Sequence, residues 1–142
     1  MKKIAFLVLL LSVIYSSCVD NKPPGKYLTG SWSYDVQSIL DSARLMNPSE
    51  NEMAMVEGAM TIYKDAVFEF QESGGLVVVT NGIEQTGTWS MSSDGKQLTI
   101  NLSGQGQPNE ILELTEKRLV LAPIPEIGLF YKRIFVPAAA PR

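Results

Sequence analysis

The sequence predicts an all-β domain, an eight-stranded antiparallel up-and-down barrel with a helical insertion between strands 1 and 2. Three observations predict it. After Lys64-Asp65 apolar and polar residues alternate in short runs, as on strands with one buried face. Short turn signals separate the runs, among them Asn81-Gly82 and Asp94-Gly95, which join antiparallel neighbours. Before them come two segments with helical spacing. Eight such strands close into a barrel that leaves no exposed sheet edge; a two-sheet sandwich is the rival architecture.

The chain opens with Lys2 and Lys3, an apolar run from Ile4 to Ile14, and then Tyr15, Ser16, Ser17 and Cys18. A positive start, an apolar stretch and small residues make a secretory signal peptide over residues 1–17. The run is too short to span a bilayer, which takes about 20 apolar residues. Residues 18–26 carry two prolines, a glycine and polar side chains, and read as an extended tether. The barrel domain is expected over residues 27–136.

Trp32, Tyr34 and Val36 alternate with polar neighbours and predict the first strand. Two helices follow, over residues 38–46 and 49–62. Asn47-Pro48 breaks the first, and Ser49 with Glu52 forms a capping box for the second. Met53, Val56 and Met60 give that helix an apolar face, which plugs a barrel mouth, covers a ligand as a lid, or meets a partner. Phe68 and Phe70 share one side of the second strand, and Leu76 to Thr80 is β-branched. Gly87, Trp89 and Met91 alternate in the fourth strand, Leu98, Ile100 and Leu102 in the fifth. Gly104 to Pro108 reads as a loop. Leu112 and Leu114 are expected inward, with Ile111 and Glu113 outward. The seventh strand is expected over residues 118–121; Pro123 and Pro125 stop it. The eighth is expected from about Leu129 to Val136, and residues 137–142 form a loose tail.

Composition narrows the chemistry. The chain has 12 basic and 15 acidic residues. Removing residues 1–17 takes Lys2 and Lys3 and no acid, leaving 10 basic against 15 acidic residues, a net charge near −5. That disfavours nucleic acid and a basic membrane patch. One cysteine allows no disulfide within the chain. With no histidine, the usual general base and the commonest metal ligand are missing. Glu110 with Glu113, and Glu50, Glu52 and Glu57, read as solvated faces, and Gly104-Gln105-Gly106 lacks the following Lys-Ser/Thr of a phosphate loop. Neither an enzyme, a metal site nor a cofactor is expected.

Two resemblances add to this reading. Ser16-Ser17-Cys18 resembles the lipobox of bacterial lipoproteins, with Tyr15 where leucine is usual. The resemblance implies cleavage before Cys18 and acyl chains on it, hence attachment to the outer membrane, on its periplasmic side or at the cell surface. Two chains suffice for stable anchoring. Gly30-Ser31-Trp32 resembles the G-x-W of lipocalins and other calycin barrels. With the helical insertion, Phe68-Glu69-Phe70, Gly87-Thr88-Trp89 and Leu98-Thr99-Ile100, residues 27–136 are similar to lipocalin-like lipoproteins of the Bacteroidetes. Thr115-Glu116-Lys117 stands where lipocalins often have T-D-Y. The resemblance implies that Gly30 and Trp32 close the barrel base and that a basic residue of the last strand, Arg133 rather than Lys132, lies over the indole. Asp41-Ser42-Ala43 resembles the short sequence that carries O-glycans at its serine in exported Bacteroidetes proteins.

The apolar interior remains as the candidate site. Phe68, Phe70, Val78, Trp89, Met91, Ile100, Leu112 and Leu114 are the candidate ligand contacts. Eight-stranded barrels lie between filled interiors and a cavity for one small ligand. The expected function is an envelope lipoprotein that binds or carries a small apolar or amphipathic ligand without catalysis. The alternative is a filled barrel acting as an interaction or structural module, with another envelope protein as partner.

Overall fold

The computed structural model of the chain describes residues 22–139. The signal segment, Cys18 with the start of the tether, and the end of the tail lie outside the described residues. Pro23 and Pro24, read as extended tether, instead open a helix, α1 (Pro24–Leu28). Pro24 occupies the first turn, where its fixed φ suits a helix and its missing N–H is no loss. Leu28 is fully buried and holds the helix against the barrel. Gly30, at φ +127°, then turns the chain into β1 (Gly30–Tyr34). A residue with a Cβ rarely adopts that conformation, which gives the glycine of the Gly-Ser-Trp motif its physical reason.

Val36 does not extend β1. The Asp35 carboxylate accepts from the Ser38 N–H at 3.1 Å and the Ser38 hydroxyl at 2.6 Å, so α2 (Val36–Arg44) starts two residues before the expected point. An aspartate cap stops the strand and starts the helix in one step. In α3 (Glu50–Tyr63) the capping box forms as expected: the Ser49 N–H donates to Glu52 at 2.7 Å and the Glu52 N–H to the Ser49 hydroxyl at 3.3 Å.

Seven further strands follow: β2 (Val67–Phe70), β3 (Gly75–Thr80), β4 (Ile83–Met91), β5 (Gln97–Asn101), β6 (Gly106–Leu114), β7 (Leu119–Leu121) and β8 (Arg133–Pro137). They form a closed antiparallel barrel in sequence order. Asn81 and Gly82 have φ of 51° and 77°, the left-handed pair that a tight hairpin turn requires between Thr80 and Ile83. Closure comes from β1 with β8, where Trp32, Ser33 and Tyr34 face Pro137, Val136 and Phe135. The Ala138 N–H donates to the Ser31 carbonyl at 2.8 Å, so this pairing reaches into the segment expected as tail.

Two strands depart from expectation. In β6, Gly106 to Pro108 pair with β5 instead of looping. Proline is tolerated there because β7 joins β6 only from Ile111 onward. A register shift between Ile111 and Glu113 then reverses the alternation. Asn109, Ile111 and Leu114 pack inward, and Leu112, expected inward, is 46% exposed on the outside. β8 begins at Arg133, not near Leu129, because Ile124 and Leu129 bridge across a 3-10 turn at Pro125–Ile127.

The apolar residues form two clusters. One fills the barrel, with Leu28, Trp32, Phe70, Leu76, Leu98 and Leu119 at its centre. Each such side chain contributes about 1.5–3 kcal/mol on burial. The other lies outside, where Ile39 and Ala43 of α2 and Val56 and Met60 of α3 cover Val120 and Ile134. Val120 and Ile134 alternate with the inward Leu119, Leu121, Arg133 and Phe135, so the helices lie on the outer wall of β7 and β8. They plug no mouth.

Candidate functional site

Strand direction assigns the barrel ends. β1 begins at the base and Tyr34 ends it at the opposite end; Arg133 opens β8 at that same end, facing Leu121. The base is sealed. The Trp32 indole N–H donates to the Leu28 carbonyl at 2.7 Å, and the Trp89 indole N–H to the Gln71 carbonyl at 2.9 Å. Gly25 of α1 lies against the Trp89 ring, where a Cβ would stand 3.6 Å from it.

The opposite end holds a cavity of about 280 Å3. Three rings form its floor: Phe68 meets Tyr34 and Phe135 edge-on at 5.2 Å each, and Tyr34 and Phe135 lie 4.7 Å apart. Offset and edge contacts of this kind are favourable and stiff. Ile100 and Leu102 make an apolar side. Gln105, Gln107, Asn109 and Arg133 bring polar atoms to it. The floor exists because Tyr34 and Phe135 are paired across the barrel seam and Phe68 follows on β2.

Arg133 is 8% exposed and Asn109 2%. One guanidinium Nη donates to Asn109 Oδ1 at 2.6 Å and the other to the Ala122 carbonyl at 2.8 Å. Asn109 in turn donates from Nδ2 to the carbonyls of Leu98 at 3.0 Å and Gln107 at 2.7 Å. Those two acceptors fix the amide so that its oxygen faces the arginine. The Arg133 Nε is buried with no partner. Among the described residues the ion pairs are Lys22–Glu116, Arg44–Asp41, Arg44–Glu57 and Arg118–Glu113, so no carboxylate meets Arg133. Burial pulls the guanidinium below its usual range, against the phenols of Tyr34 and Tyr131. Burial pushes the Tyr34 phenol well above its own, with the nearby cation of Arg133 opposing.

Of the expected ligand contacts, Phe68 and Ile100 line this cavity. Phe70, Val78, Trp89, Met91 and Leu114 pack in the barrel core away from it. Leu112 stands outside, on a groove of about 470 Å3 with Ser38, Asp41, Ser42, Leu45 and Glu113. Arg133 is not over Trp32. Trp32 faces Pro137, four residues along β8, which puts the two about 13 Å apart at strand rise. Among the described residues the cation over a ring is Lys22, 5.7 Å from the centre of Tyr27. The base is closed by α1 and the Leu28 carbonyl in place of a stacked arginine.

Sequence reasoning missed Tyr34, Leu102, Gln105, Gln107, Asn109 and Phe135 as cavity residues. Gln107 and Asn109 share the inward phase of Ile111, which the alternation of the sequence places outward. Ser42 is half-buried on α2. Glu110 and Glu113 are exposed, and Glu113 pairs with Arg118 at 3.5 Å. No group of three or more acidic, histidine or cysteine side chains that could hold a metal occurs among the described residues.

No family model matches the chain, and no curated protein does. The barrel has a solved neighbour. It is described as a DUF4847 family protein from Bacteroides vulgatus, superimposes with a TM-score of 0.50, and is 12% identical. The match covers 81% of this chain and 96% of the neighbour. At that identity the likeness concerns the fold alone.

Proposed function

We propose that this protein is a lipocalin-like envelope lipoprotein, held to the outer membrane by acyl chains on Cys18, that binds a small amphipathic ligand in its open barrel mouth and carries or sequesters it without a covalent step. The observation that supports the reading is the mouth cavity itself: an aromatic floor, an apolar side and a polar rim at the end opposite a sealed base. That combination buries a ligand body while orienting a polar head.

Native mass spectrometry on residues 19–142, which carry every described element, tests binding after incubation with an envelope extract. A discrete added mass, lost when Ile100→Trp fills the cavity, is the expected result. A bare protein mass across extracts contradicts it. Anchoring is tested separately by feeding cells an alkyne-tagged fatty acid. The protein is expected to take up the label, and Cys18→Ala to lose it.

A second reading, an interaction module, draws support from the outer groove, where Leu45 is 82% exposed beside Leu112. The methionine-bearing face of α3 does not serve it, because Val56 and Met60 are buried against the barrel.

A further inference from the structure

The mouth cavity contains a cation without an anion. Arg133 is buried, no acidic side chain among the described residues pairs with it, and its Nε has no acceptor. A guanidinium carries five N–H groups. Two are engaged, one by Asn109 and one by the Ala122 carbonyl, so the Nε–H and one N–H on each Nη remain. Proteins rarely bury a charge unpaired, because the desolvation is then uncompensated. Here the group is also held in place. Asn109 is locked by two backbone carbonyls, and it locks the arginine. A surface arginine that happened to fold inward would need no such clamp.

We propose that Arg133 is the head-group anchor of the barrel and that the ligand is a carboxylate-headed amphiphile. This rests on the mouth-binding reading above and deepens it. The carboxylate takes N–H groups of the guanidinium that Asn109 and the Ala122 carbonyl leave unengaged, in the planar paired geometry that fits two oxygens. Its chain lies over the aromatic floor and along Ile100 and Leu102 toward the open side. A single carboxylate matches the single cation. A phosphate monoester would bring close to two charges to a site with one, beside Gln105, Gln107 and Asn109, which add none. The size agrees with a small ligand: about 280 Å3 is nearly twice an apolar cavity of about 150 Å3 that accepts benzene.

Calorimetric titration of residues 19–142 with decanoate, decanol and decyl phosphate tests the proposal. The expected result is decanoate binding about tenfold or more tighter than decanol, as a charge-assisted hydrogen bond provides, and tighter than decyl phosphate. Arg133→Gln brings the ratio of decanoate to decanol affinity to about one. Because Arg133 is buried, that variant could fail to fold, so Gln107→Glu supplies an independent check. Gln107 is exposed at the mouth, and a negative charge there is expected to lower decanoate affinity and reduce the same ratio. Equal affinity for decanoate and decanol in the wild type overturns the anchor proposal and leaves the mouth-binding reading standing. Preference for decyl phosphate overturns the carboxylate assignment. No binding of any of the three, or binding that survives Ile100→Trp, overturns both.

Discussion

Single residues here carry distinct physical duties, and each can be removed. Gly30→Ala forces a Cβ onto a backbone at φ +127°, and is expected to cost about 1–3 kcal/mol, read from urea unfolding. Gly87→Ala is expected to destabilise too, because a Cβ there would overlap the Asn101 carbonyl on β5. The Asn109–Arg133 hydrogen bond predicts coupling. Asn109→Ala and Arg133→Met each weaken the fold, and the double variant loses less than their sum, by about 0.5–3 kcal/mol. Additive losses across the four proteins would contradict the bond. At this scale the sequence was partly readable. The glycine of Gly-Ser-Trp stood out, whereas Arg133 was assigned to Trp32 by resemblance, and only the seam register shows that Trp32 faces Pro137, four residues along β8 from Arg133.

At the scale of elements, local chemistry was the most legible. The capping box at Ser49 and Glu52, the Asn81-Gly82 hairpin and the alternation of β5 are set by neighbours within a few residues, and all three form. Hydrogen bonds from Ser49 hold the Glu52 carboxyl below the usual carboxylate range. A carboxyl depressed in the folded state contributes stability above its unfolded pKa and loses it as pH falls through the folded one. Glu52→Gln is therefore expected to destabilise at neutral pH and to lose its effect in acid, measured by thermal melts across that range. What hid from the sequence was non-local. Pro24 starts a helix because Leu28 has a barrel base to enter. The β6 register shift sends Leu112 outward because β7 must meet both halves of the strand. The site of the helical pair yields a further prediction. Met60→Ala is expected to cost about 2–5 kcal/mol as a core truncation, yet to leave decanoate affinity unchanged, since α3 packs on the outer wall. A lost affinity would mean that the helices form a lid.

The whole molecule is a barrel with a filled, sealed base and an open end that keeps a clamped cation. The barrel order followed from the turn signals, but the cavity did not. It depends on Tyr34 and Phe135 meeting across the seam and on two polar residues in β6 facing inward, neither of which a one-dimensional alternation encodes. A ligand that binds only the folded form stabilises it by mass action. At a hundredfold excess over Kd the gain is about 2.7 kcal/mol, so decanoate is expected to raise Tm by several degrees in the wild type and far less in Arg133→Gln. The most direct measurement is a crystal structure of residues 19–142 grown with decanoate. Density for the carboxylate against the Arg133 guanidinium, with the chain running past Ile100 to Leu102, is the expected result. A mouth filled by its own side chains, or decanoate seated in the outer groove beside Leu45 and Leu112, would contradict it.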